Sequence, residues 1–251
     1  MPTTTRQRKF YPSVNQRLMG YIKRLPGLVA YYPLNEDSGA VVYNHAPATK
    51  GTLNGAITGA TLKQDGLVGK AYSFDGVDDN VLIAQASPLP MYSNTAFAIS
   101  GIFSFIDDYT GTINLFGEGN GSTGNPQYTL GIAHDGLNNR FVVFVRDDVN
   151  SVLLNAKKST TILLPNTSYQ FVWVDNNGTC SLYINGISEN PTAGNWNYTR
   201  GTLTLNKTSI GALVRTGVGQ VFYGKIQHMS FADSIFTTSQ ILKMAQIAGL
   251  V

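Results

Sequence analysis

The chain has 251 residues, of which 43% are hydrophobic and 13% charged, with 26 glycines and one cysteine, Cys180. This describes a turn-rich globular protein able to bury a sizeable core, and it excludes a disordered chain, a coiled coil and a disulfide scaffold. The net charge of +3 is uneven: residues 1–26 carry Arg6, Arg8, Lys9, Arg17, Lys23 and Arg24 and no acid, which leaves 12 bases against 15 acids, about −3, for the remainder, so the body is not expected to bind nucleic acid.

Residues 1–12 are basic, polar and proline-punctuated, with too little apolar surface to fold alone. From Ser13 onward, Val14, Leu18, Tyr21, Ile22 and Leu25 recur at helical spacing, and Pro26 with Gly27 closes a short amphipathic basic helix. Residues 1–26 therefore read as an arm whose Arg6, Arg8, Lys9, Arg17, Lys23 and Arg24 dock on another subunit; the alternative is a surface helix that packs back on its own body. The start lacks the apolar core of a secretory signal, and no run approaches the ~18 apolar residues of a membrane span, so cytoplasmic synthesis is expected. An Arg-rich, acid-free start also suits an organelle transit peptide.

After Gly27, period-two patterns dominate. "LVAYYPL", "KAYSF" and "NVLIA" come first, and "FAISGIFSFI" then sets Phe97, Ile99, Gly101, Phe103 and Phe105 against Ala98, Ser100, Ile102 and Ser104. "TINLFGEG", "YTLGI", "RFVVFVRD", "SYQFVWVD", "CSLYING", "TLTLN", "TSIGAL" and "GKIQHMSFA" follow, separated by turn-rich pieces. So many short strands predict a sandwich or barrel. Helical character returns in "TTSQILKMAQIAGLV", with Thr238 or Ser239 as cap and Ile241, Leu242, Met244, Ala245 and Ile247 as the apolar face. No linker composition or repeat interrupts residues 27–251, which read as one domain.

"GLVAYYPLNEDSG", "GKAYSFDGVDDNVLI", "FAISGIFSF", "SLYINGISE" and "SIGAL" near "GKIQHMSFADSIFTTSQI" resemble, in order, the landmarks of LamG-like jelly-roll domains of the concanavalin A-like lectin/glucanase superfamily. The resemblance spans residues 27–248. It implies an all-β fold class, a jelly-roll β-sandwich of two antiparallel sheets, here with a short N-terminal basic helix and a short C-terminal helix. It also implies glycan or protein binding, a structural role on a large assembly or, in some branches, polysaccharide hydrolysis.

Hydrolysis with retention needs two carboxylates about 5 Å apart, which the glucanase branch places on one strand face as Glu-x-Asp-x-Glu. The three glutamates, Glu36, Glu118 and Glu189, are scattered, and Glu118 reads as a solvated turn residue at a strand end. No catalytic residue is assigned. Cys180 has no neighbouring base and reads as a packed thiol, and His45, His134 and His228 lack zinc-ligand spacing. Five Asn-x-Ser/Thr sequons read as turn chemistry.

Two sites remain. Asp75, Asp78 and Asp79 in "SFDGVDDNVLI" supply hard oxygen ligands for calcium, or else form a hydrogen-bonded acidic turn between a strand and its return strand. Where the resemblance would set an acidic pair before the last strand, Gln227 and His228 stand instead. Trp196 and Tyr198 in "GNWNYT" are candidate sugar-stacking residues, unless Trp196 caps a sheet edge; Trp173 reads as core. The leading expectation is a non-enzymatic bacteriophage virion protein, synthesised in the host cytoplasm, whose lectin-like body decorates a capsid or tail and docks on other virion subunits through its arm. The alternative is a carbohydrate-binding adhesion module for host surface glycans. No cofactor is expected beyond calcium.

Overall fold

Ser13 caps the first helix of the computed structural model, which describes residues 12–106, 109–134, 136–192 and 194–251. The Ser13 hydroxyl accepts from the Gln16 N–H while the Gln16 side chain accepts from the Ser13 N–H, so two orphan donors of the helix end satisfy each other's residues.

This helix, α1 (Val14–Ile22), precedes β1 (Leu28–Tyr32), β2 (Val41–Val42), β3 (Gly55–Thr58), β4 (Thr61–Asp65), β5 (Lys70–Asp75), β6 (Asn80–Ile83) and β7 (Ala96–Phe105). There follow β8 (Thr112–Gly119), β9 (Gln127–His134), β10 (Asn139–Arg146), β11 (Val152–Lys158), β12 (Tyr169–Asn176), β13 (Thr179–Ile184) and β14 (Ile187–Glu189). The last elements are β15 (Lys207–Ile210), β16 (Leu213–Val214), β17 (Val218–Gly219), β18 (Tyr223–Ala232) and α2 (Thr238–Ala248).

Two antiparallel sheets of eight strands each form a jelly-roll β-sandwich. The first runs β14-β13-β12-β7-β18-β5-β4 with β1 also on β18; the second runs β11-β10-β9-β8-β15-β6-β3-β2, and β16 and β17 form a separate hairpin. Along one side of β18, Tyr223–Ile226 pairs with β5 and Met229–Ala232 with β1. The register against β7 shifts between Gln227 and Ser230, and His228 there has φ +54°.

The alternation in β7 divides two apolar layers. Phe97, Ile99, Phe103 and Phe105 face the opposite sheet, and Phe103 alone meets the rings of Phe141, Tyr169, Phe171 and Phe222 at centroid distances of 5.8–6.4 Å. Ala98 and Ile102 face outward and are covered by Leu18 and Ile22 of α1 and by Ile241, Met244 and Ala248 of α2. The helices thus close the outer face of the first sheet, and Leu25 and Leu28 carry that packing across the boundary expected at residues 26 and 27. The apolar side of α1 lies on its own body.

Other expectations need correction. Thr237, one residue before the expected caps, starts α2, because its hydroxyl and the Gln240 side chain form the reciprocal box. "TLTLN" forms no strand: Leu203 and Leu205 pack on the core in alternation, but the backbone joins no ladder. β5 and β6 are not a strand and its return strand, since they belong to different sheets and the acidic turn carries the chain around the sandwich edge.

Candidate functional site

That turn brings Asp75, Asp78 and Asp79 together, with one carboxylate oxygen of each within 4.8 Å of the others. Asp75 and Asp78 are exposed and Asp79 is buried. Asp79 Oδ2 accepts from the Asp75 N–H at 2.8 Å, and Asp75 Oδ1 accepts from the Val77 N–H at 2.8 Å, so the loop holds its own carboxylates in place. Gly59, at φ +71°, passes over this cluster; a Cβ there would lie 1.8 Å from Asp79 Oδ1. Burial first, then the charges of Asp75 and Asp78, push the Asp79 carboxyl up, against the pull of the Asp75 N–H. The remaining oxygens of Asp75, Asp78 and Asp79 fit a hard divalent cation, with carbonyls or waters needed to complete its shell.

Beside the loop lies a polar hollow of about 470 Å³, lined by Asp75, Gly76, Val77, Tyr109, Thr110, Thr112, Gln220 and Tyr223 among others. Tyr223 stands opposite Asp75 in register and its Cβ lies against Gly76, while the Tyr109 hydroxyl donates to Asn139 Oδ1 at 2.7 Å. Val77 is 74% exposed at the lip. A carboxylate, hydroxyls, an amide and two half-buried tyrosine rings are the groups that hold sugar hydroxyls and pack on sugar C–H faces. Tyr109, Gln220 and Tyr223 had no local signal in the sequence, because the pairing of Tyr223 with Asp75 and the loops that carry Tyr109 and Gln220 meet only in the folded chain. A larger hollow, about 590 Å³, lies over Ala56 and Leu82 on the second sheet, and its lining is mainly apolar.

Trp196 is not a sugar platform. It is 3% exposed, its Nε1–H donates to the Glu189 carbonyl at 3.0 Å, and its ring meets Trp173 edge-on at 5.7 Å. Tyr198 is half-buried and its hydroxyl donates to Asp175 Oδ2 at 2.5 Å. Asp175, fully buried at the end of β12, also accepts from Gly178 N–H at 2.8 Å and from the Tyr128 hydroxyl at 3.2 Å, and pairs with Arg200 at 3.4 Å. The Arg200 guanidinium lies 4.0 Å from the Tyr92 ring centroid. The "GNWNYT" loop is thereby bound down by a buried polar network that the sequence, where Asp175 only closed the strand "SYQFVWVD", did not disclose.

Glu118 is fully buried rather than a solvated turn residue. It accepts from the N–H groups of Met91 at 2.5 Å and Tyr92 at 3.1 Å and from the Thr208 hydroxyl at 3.2 Å. Gln227 Oε1 accepts from Val68 N–H at 3.0 Å, and the two nitrogens of His228 face the Tyr31 hydroxyl at 2.6 Å and the Val68 carbonyl at 3.1 Å. These two residues therefore hold the loop before β5 and are oriented by it. Cys180 is buried, and burial followed by the charge of Asp175 pushes its thiol far up. Of the basic arm residues, Arg17 and Arg24 are exposed and Lys23 is half-buried, while Arg6, Arg8 and Lys9 lie outside the described residues.

No protein-family model and no curated protein sequence matches the chain. Solved structures do. Trypanosoma rangeli sialidase in complex with the inhibitor DANA superposes with a TM-score of 0.64 at 14% identity, over 92% of this chain and 37% of the sialidase. Domain 4 of AbnA, an extracellular GH43 arabinanase of Geobacillus stearothermophilus in complex with arabinotriose, superposes with a TM-score of 0.60 at 16% identity, over 87% of this chain and 98% of that domain. A variant of botulinum HCR/D gives a TM-score of 0.61 at 10% identity, over 88% of this chain and 52% of its own length. At these identities the likeness shows the fold alone, a jelly-roll β-sandwich, and the chain spans little more than a third of the sialidases. The expectation of a non-enzymatic protein is overturned by the sialidases, which are enzymes that contain this fold. The virion, capsid and tail expectations gain no support from these structures.

Proposed function

We propose that the chain is a glycan-recognition module of LamG-like type, in which the hollow beside the Asp75–Asp79 loop receives the sugar. The observation that carries this reading is the juxtaposition of a three-carboxylate loop with a polar, tyrosine-flanked hollow at the sandwich rim. Calcium held by Asp75, Asp78 and Asp79 would neutralise their mutual repulsion and set the loop that forms one wall. Tyr223 and Val77 would pack on C–H faces, and Thr110, Thr112 and Gln220 would meet hydroxyls. The superposable domain 4 of the arabinanase, seen with arabinotriose, and the sialidases support the substrate class.

The test is a glycan array probed in calcium and again in chelator, with wild type, Asp79→Asn and Tyr223→Ala. Binding to at least one neutral glycan group, weakened about tenfold or more by chelator and by either substitution, is the expected outcome. No glycan above background in calcium, or binding indifferent to all three changes, refutes the reading.

A further inference from the structure

We propose that Arg146 and Arg215, on the outer face of the second sheet, form a binding site for the carboxylate of an acidic sugar. The inference rests on the glycan-recognition reading but concerns a different place on the molecule.

Alternation along β10 turns Phe141, Val143 and Val145 into the core and Arg146 out of it. The Arg146 guanidinium donates from Nη2 to the Gly124 carbonyl at 3.0 Å and to Gln127 Oε1 at 2.9 Å, while its Nε is buried with no hydrogen-bond partner. Arg215, in the turn between β16 and β17, lies over the same face: its stem crosses Gly119, where a Cβ would meet Arg215 Cγ at 2.5 Å. Its Nη1 donates to that same Gly124 carbonyl. Two guanidinium nitrogens sharing one acceptor are no more than about 6 Å apart, two hydrogen-bond lengths.

Neither arginine forms an ion pair among the described residues. Asp148, two residues beyond Arg146, has its carboxylate engaged by the N–H and hydroxyl of Thr204 at 2.8 and 2.7 Å. Lys207, across from Gly119 in register, adds a third cation to this face. Burial first, and then the charge of Arg146, lower the Arg215 pKa, the response of a partly desolvated cation with its like nearby. Two half-buried guanidinium groups with a neutral carbonyl as their shared partner leave donors and positive charge uncompensated, and a planar carboxylate is the group whose geometry matches such forks. Ser122, Thr123 and Gly124 beside them are exposed, so the approach is open.

Titration calorimetry with trigalacturonate against its methyl ester, and sialyllactose against lactose, tests the site and separates a uronic from a nonulosonic acid source. We expect at least one acidic probe to bind about tenfold or more tightly than its neutral counterpart, Arg146→Gln and Arg215→Gln each to abolish that preference, and Arg→Lys variants to keep part of it. Thermal melts identify any variant that has lost its fold, and the Lys variants then carry the test. Absence of binding by both acidic probes, equal binding of acid and neutral forms, or a preference unchanged in the Arg variants overturns the proposal. Acid preference that survives Tyr223→Ala but not Arg146→Gln supports this site even if the rim reading fails; neutral binding lost in Tyr223→Ala and indifferent to the arginines, with no acid preference, leaves the rim reading and removes this one.

Discussion

His228 is buried with Nδ1 against the Tyr31 hydroxyl and Nε2–H donating to the Val68 carbonyl, and burial, outweighing the pull of that carbonyl, lowers its pKa from 6.5 to about 4. The unfolded chain takes up that proton near pH 6.5, so this contribution to stability is present above 6.5 and lost as pH falls toward 4, on the order of 3 kcal/mol. Glu118 acts in the opposite direction. Burial outweighs the bonds from Met91, Tyr92 and Thr208 and raises its pKa from 4.5 to about 7, so its contribution is full below 4.5 and lost as pH rises through 7. Between these limits the two slopes oppose each other. His228→Asn keeps a residue type that tolerates the positive φ and should uncover a stability that falls from pH 4.5 to 7, read from urea midpoints; a profile identical to wild type would contradict the role given to His228. Asp175→Asn should cost about 3–5 kcal/mol, because it strands the mostly buried Arg200 charge, and a melt within a degree or two of wild type would show the ion pair to be inert.

At the scale of elements, β7 is the place where sequence and structure agree most closely. Its period of two separates the inter-sheet core from the layer under α1 and α2, and Phe103→Ala should cost about 3–5 kcal/mol through the cavity left among four aromatic rings; a loss below about 1 kcal/mol would mean that the cavity collapses. Local signals of this kind also disclosed the helix α1 that follows Ser13. They failed where partners are distant. Nothing around Asp75 shows that β5 and β6 enter different sheets, since an acidic turn of that length serves a hairpin or a sandwich edge equally well. Trp196 illustrates the same failure: a Gly/Asn-rich loop suggests exposure, yet the hydrogen bond to Glu189 and the face of Trp173 draw it inside. Buried polar groups such as Asp175 and Glu118 were invisible for a related reason, because apart from Gly178 and Cys180 their partners lie 23 or more residues away.

The whole molecule is a β-sandwich in which the two helices close the outer face of the first sheet and, among the described residues, the β16–β17 hairpin lies against the second. That asymmetry concentrates accessible chemistry at the acidic rim and on the second sheet. If calcium fills the rim, it binds the folded chain alone, and stability should rise by about 2.7 kcal/mol at a concentration one hundred times its dissociation constant; melts in calcium and chelator that coincide would reject the cation. The resemblance to LamG-like domains anticipated this architecture, whereas the hollow depends on Tyr109, Gln220 and Tyr223 meeting Asp75 in three dimensions. The central claim is that this hollow receives a glycan. Backbone amide chemical-shift mapping during titration with a neutral oligosaccharide selected on the array tests it most directly: the account predicts shifts clustered at Gly76, Val77, Thr110 and Tyr223, and shifts confined to any other surface, or none at saturating sugar, would contradict it.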